Sequence, residues 1–128
     1  MVKTLFIAIG GSIGALLRFF LSRYIGSINI SSFPYGTFIV NSIGCFFIGF
    51  FYTIFERISV FTDFKGFLLI GLLGAFTTFS TYILETFNLF QDNEILIGLL
   101  NLIISNLVGL LCLVLGIFFA RLIFLVRP

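Results

Sequence analysis

With 128 residues, 60% hydrophobic, 9% charged and a mean hydropathy of +1.26, the chain falls far outside soluble composition, for which about 25% charge is usual. The net charge of +2 is too small and too scattered to suggest nucleic acid as a partner. The absence of histidine removes most general-base and many metal-site chemistries.

A hydrocarbon core of ~30 Å takes roughly 20 apolar residues per helix. Four such spans use most of the chain, so residues 1–128 read as one all-α integral membrane domain in contact with lipid. The first apolar run is expected to stay in the mature protein, because it is too long for a signal peptide and no polar domain follows it.

Span one covers about residues 5–25. Gly10 and Gly14, and Gly11 and Ala15, place small residues four apart, the spacing that lets two helix backbones approach closely. Arg18 follows Gly14 by one turn. A lipid-facing arginine at mid-membrane costs roughly 2.5–3.5 kcal/mol, so Arg18 is expected to cap backbone carbonyls or to pair across a protein interface. Arg23 reaches the nearer membrane surface.

A polar connection, residues 27–34, leads to span two at about 37–55. Asn41 lies a turn inside it, and Gly44, Cys45 and Gly49 form a second small-residue surface. The Asn41 amide has two N–H donors, and either a helix–helix hydrogen bond or an anion would use them. Cys45 and Cys112 sit singly in apolar spans without metal-type spacing and read as small core residues.

Span three, about 66–90, would measure about 37 Å as one helix, more than the core needs. Its centre carries Gly71, Gly74 and Ala75, then the hydroxyl residues Thr77, Thr78, Ser80 and Thr81 among the aromatics Phe76, Phe79 and Tyr82. This stretch predicts a helix broken mid-membrane, with freed carbonyls able to hold a cation. Beyond it, Thr81, Glu85 and Asn88 share a face. Of the five acids, Glu85 alone lies within a span, so no carboxylate pair is available for catalysis and the chain is not read as an enzyme.

Span four runs from about 95 to 119. Asn101, Ser105 and Gly109 lie four apart in one stripe, and Gly116 and Ala120 add a close-approach pair. Lys3, Arg57, Lys65 and Arg127 fall on the side of the termini, with Arg121 nearby, which predicts cytoplasmic termini.

Hydroxyls, amides and aromatic ring edges suit an anion, because the ring quadrupole makes the rim positive. A row of such sites conducts when it replaces hydration without binding too tightly. The polar faces of spans two to four need another surface to face, and a homodimer provides it most simply.

Three motifs in order resemble the Fluc (CrcB) fluoride channel family over essentially the whole length. They are Gly10-Gly11-x-x-Gly14-Ala15-x-x-Arg18, Pro34-x-Gly36-Thr37-x-x-Val40-Asn41-x-x-Gly44, and Gly71-x-x-Gly74-Ala75-Phe76-Thr77-Thr78-Phe79-Ser80-Thr81-Tyr82. The resemblance implies an antiparallel, dual-topology homodimer in the cell inner membrane, with two pores that export fluoride passively and protect against its toxicity. It also implies a structural Na⁺ on the dimer axis, bound by the backbone carbonyls of Gly74 and Thr77. Asn41, Phe79, Tyr82, Asn101 and Ser105 would line the fluoride path, Thr37 its vestibule, and Arg18 would stabilise the interface near the pore mouth. This chain has Tyr82 where the family usually has Phe, and Gly109 where some relatives carry a hydroxyl. The unequal basic residues also leave room for a homologous partner subunit of inverted bias. The alternative is a proton-coupled multidrug exporter of the small four-helix type, which needs an acidic residue usually found on the first helix; span one has none.

Overall fold

The computed structural model describes residues 2–29 and 31–125; Arg127 lies outside them. Its elements are α1 (Val2–Ile28), α2 (Tyr35–Arg57), a short α3 (Thr62–Lys65) continuing into a π-helical segment (Gly66–Leu73) and α4 (Gly74–Phe76), then α5 (Phe79–Gln91) and α6 (Ile95–Leu125). Among the described residues, four stretches are long and apolar enough to cross a bilayer: Val2–Ile28, Tyr35–Arg57, Thr62–Gln91 and Ile95–Phe124. The protein is therefore an all-helical, multi-pass membrane protein. The helices run past the expected spans at most ends because backbone bonding does not stop where the hydrocarbon does. Arg57, for example, falls in the last turn of α2, beyond the expected end of span two.

The bundle is built from two close helix pairs, α1 on the π-helical segment and α2 on α6. Small residues make both approaches possible. A methyl group on Gly14 would meet the Leu72 carbonyl, and one on Gly10 the Phe67 carbonyl. In the second pair Gly49 faces the Leu113 carbonyl and Gly116 the Phe46 carbonyl, so each helix presents a flat site to the other's backbone. Ala120, a turn beyond Gly116, is fully buried.

The connections follow local chemistry. Pro34 precedes α2 and accepts the Phe38 N–H at 3.0 Å, its lack of a donor costing nothing at a helix start. The Asn29 amide donates to the Ile25 carbonyl at 2.8 Å, bonding a carbonyl in the last turn of α1. Between α5 and α6, Asn93 adopts φ 62°, a left-handed conformation that asparagine tolerates better than most residues.

Three basic residues, Lys3, Arg57 and Lys65, make contacts near the α2–α3 connection. Lys65 Nζ donates to the Phe55 carbonyl at 3.0 Å, the Arg57 guanidinium lies 6.0 Å from the Phe124 ring centre, and the Lys3 side chain approaches Gly66.

Candidate functional site

The polar residues of the bundle converge where the third crossing leaves helical geometry. Thr77 (φ −85°, ψ 156°) and Thr78 (φ −148°, ψ 121°) are both extended. The turn that follows is started by Thr78, whose Oγ1 accepts the Thr81 N–H at 3.3 Å and donates to Thr81 Oγ1 at 3.0 Å, the work of a threonine N-cap.

Extended backbone inside a bundle must find partners in the protein, and two side chains supply them. Asn41 Nδ2 donates to the Thr78 carbonyl at 3.0 Å, while its Oδ1 accepts the Thr78 N–H at 2.8 Å. Arg18 Nε donates to the Ala75 carbonyl at 3.1 Å. Of the two expectations for Arg18, this geometry is carbonyl capping. Gly44 is needed opposite, because a methyl group there would meet Thr77 Cγ2.

In a continuous helix the Gly74 carbonyl would receive the Thr78 N–H, and the Thr77 carbonyl the Thr81 N–H. Here the first amide goes to Asn41 and the second to the Thr78 hydroxyl. The two carbonyls are thereby released from helical bonding, and Gly74 lies on the exposed surface of the chain.

A cleft of about 400 Å³ opens beside these two extended residues, lined by Asn41, Thr78, Phe79, Tyr82, Ser105 and Asn106. Phe79 is 73% exposed whereas Tyr82 is 5% exposed; their ring centres are 5.7 Å apart and tilted by 50°. A relay of hydrogen bonds runs behind the cleft. Ser105 Oγ donates to Asn101 Oδ1 at 2.9 Å, Asn101 Nδ2 to Thr86 Oγ1 at 2.8 Å, and Thr86 Oγ1 to the Tyr82 carbonyl at 2.8 Å. Asn101, 1% exposed, is thus committed inward, while Ser105 reaches the cleft wall.

Thr37 belongs to a second cavity of about 320 Å³, shared with Arg23, Thr81 and Glu85. Its Oγ1 donates to Glu85 Oε1 at 2.8 Å. Glu85 Oε2 is buried and takes no partner among the described residues, so Thr37 is the group that orients this carboxylate. The structure thus gathers Asn41, Phe79, Tyr82 and Ser105 around one cleft, places Thr37 in the second cavity, and sets Asn101 behind the wall.

Sequence reasoning missed Thr86, 3% exposed and bonded to Asn101, and also the Thr37–Glu85 bond. Each is a single hydroxyl whose partner lies on another helix, so no spacing along the chain announces it. Asn106 lies outside the Asn101–Ser105–Gly109 stripe, yet it bonds Tyr82.

The chain resembles known proteins over nearly its full length. A fluoride-specific ion channel FluC of Desulforapulum autotrophicum is 44% identical over 122 residues, covering 94% of this chain and 98% of the relative. A fluoride-specific ion channel FluC of Parabacteroides distasonis is 41% identical over 121 residues, 94% of each chain. The fluoride-specific ion channel FluC 1 of Moorella thermoacetica is 44% identical over 120 residues, 92% of this chain and 85% of the relative. Residues 5–117 match the family model described as CrcB-like protein, Camphor Resistance (CrcB), and the chain belongs to that family.

Proposed function

We propose that this protein is a fluoride-selective passive ion channel of the cell inner membrane. The observation that carries the reading is the cleft in which the Asn41 amide, the Phe79 and Tyr82 rings and the Ser105 side chain meet beside an extended backbone. It is supported by relatives named as fluoride-specific channels across nearly the whole chain.

The chemistry follows from these groups. An amide has two N–H donors. One of Asn41's is spent on the Thr78 carbonyl, which leaves the other for an ion in the cleft. Ring edges at Phe79 and Tyr82 offer a weakly positive surface. None of these groups holds a full positive charge, so an anion meets enough attraction to shed water and too little to stay. Such a wall favours the smallest halide, whose charge lies closest to the donors. Passive export through it would lower cytoplasmic fluoride without an energy source.

The reading includes a homodimer with antiparallel subunits and two pores. In its support, Phe79 and Ser80 are exposed on a single chain beside the break, where lipid would meet a hydroxyl. A second copy would cover them and close the cleft into a path. It also includes a structural Na⁺ on the dimer axis. The Gly74 and Thr77 carbonyls fit that role, since the amides that would have bonded them are engaged elsewhere. These oxygens would hold the ion, and its charge would offset the carbonyl dipoles where two chains meet. Against the exporter alternative, α1 carries no acid, and Glu85 is already bonded to Thr37.

Purified protein in liposomes loaded with fluoride should release F⁻, and retain Cl⁻, once a potassium ionophore removes the charge limit. A folded protein that releases no F⁻ would refute the reading.

A further inference from the structure

Tyr82 has a hydroxyl at the end of its ring, and two groups of α6 lie within hydrogen-bond distance of it. Asn106 Nδ2 donates to the Tyr82 hydroxyl at 2.8 Å. The hydroxyl donates in turn to the Leu102 carbonyl at 3.3 Å. Asn106 Nδ2 also donates to that same carbonyl at 2.6 Å. A backbone carbonyl only accepts, so the side of Asn106 facing Leu102 and Tyr82 must be its NH₂, and the bond it gives the Tyr82 hydroxyl is the shorter of that hydroxyl's two. The three groups form a closed triangle at the far end of the ring.

Two consequences follow. The 2.8 Å bond from Asn106 ties the Tyr82 oxygen to α6. A phenolic oxygen also accepts best near the ring plane, so fixing that bond restrains the tilt of the ring as well as its tip. Held at Cβ by α5 and at the oxygen by α6, the ring has one orientation left to show to the cleft, which both Tyr82 and Asn106 line.

We infer that Asn106 is a positioning residue for ion passage: through the Tyr82 hydroxyl it locks the ring so that its edge, and not its oxygen, forms the wall of the anion path. This rests on the channel reading above. It assigns the hydroxyl at position 82 a task directed away from the ion, in place of one at the ion.

The test is a double-mutant cycle read as initial F⁻ efflux rate per active liposome, with Cl⁻ efflux from parallel vesicles. Loss of folding lowers the fraction of active vesicles, whereas a mispositioned ring lowers the rate within them and the preference for F⁻. Asn106→Leu and Tyr82→Phe should each slow F⁻ by about fivefold, the factor that one lost hydrogen bond commands. The double variant should be no slower than either single one. If Asn106→Leu gives no dimer, Asn106→Ala takes its place in the same cycle. The inference fails if the two losses multiply, or if neither Asn106 variant changes the per-vesicle rate. It also fails if Tyr82→Phe alone is far more damaging than the Asn106 change, because the oxygen would then be meeting the ion. An unsubstituted protein that passes no F⁻ refutes the channel itself, which is a separate outcome.

Discussion

Asn41 grips Thr78 by both ends of its amide, giving a proton to the carbonyl at 3.0 Å and taking one from the N–H at 2.8 Å. A side chain on α2 thereby supplies the two hydrogen bonds that Thr78 would have made within a helix, and one N–H of the amide remains for the cleft. Asn41→Asp keeps the acceptor and loses the donor. The Thr78 carbonyl is left without its partner, a cost of about 1–3 kcal/mol, and a negative charge would stand in the proposed anion path. F⁻ efflux is expected to vanish while the protein still folds with a lowered melting temperature; fluoride-electrode traces and a thermal-shift assay on the same preparation measure the two effects.

Phe79 separates function from folding in the opposite way. At 73% exposure on the single chain it contributes little to the fold of the protomer, and changes at such positions usually stay within about 0.5 kcal/mol. Phe79→Ile keeps an apolar side chain and deletes the ring edge. Efflux should drop by about tenfold, which is what losing an aromatic-edge interaction of ~1.5 kcal/mol implies, with an unchanged elution volume on size-exclusion chromatography. Normal efflux would remove Phe79 from the ion path.

Much of this arrangement was legible in the sequence, because hydropathy sets the crossings and small residues mark where backbones touch. Gly10 and Gly14 against Phe67 and Leu72, and Gly116 against Phe46, are contacts that four-residue spacing anticipates. The change of backbone at Thr77 and Thr78 lies within the stretch whose glycines and threonines weaken helix. What the spacing could not give is which donor meets which acceptor across helices. Asn101 shares a stripe with Ser105 and Gly109, and its amide is turned to Thr86, a residue with no distinguishing neighbours in the chain. Thr37 and Glu85 are 48 positions apart, and only the packing of α2 on α5 joins them. The length of the π-helical segment was equally unreadable, since its sequence is as apolar as any membrane helix.

The glycine contacts give a prediction about assembly. Gly14→Val would drive its side chain into the Leu72 carbonyl, a backbone atom that has no rotamer to escape through. Overpacking of this kind costs about 1–3 kcal/mol. Expression in the membrane and thermal stability should both fall. Gly26→Ala, where nothing lies within 4 Å of the added methyl, serves as the control and should be tolerated. Equal losses in both variants would mean that the close approach does not govern these positions.

A sodium requirement, if it rests on main-chain oxygens, should be indifferent to the side chain at Thr77. The Thr77 hydroxyl donates to the Leu73 carbonyl at 3.1 Å, and its methyl group packs on Gly44. Thr77→Val keeps the methyl and the backbone carbonyl and loses only that hydrogen bond. Stability should fall by about 1 kcal/mol. Exchanging Na⁺ for a large organic cation during purification should abolish efflux, and added Na⁺ should restore it over the same concentration range in Thr77→Val as in the unaltered protein. A shifted Na⁺ range in the valine variant would place the hydroxyl among the ligands; efflux that ignores Na⁺ altogether would leave the Gly74 and Thr77 carbonyls without the ion assigned to them.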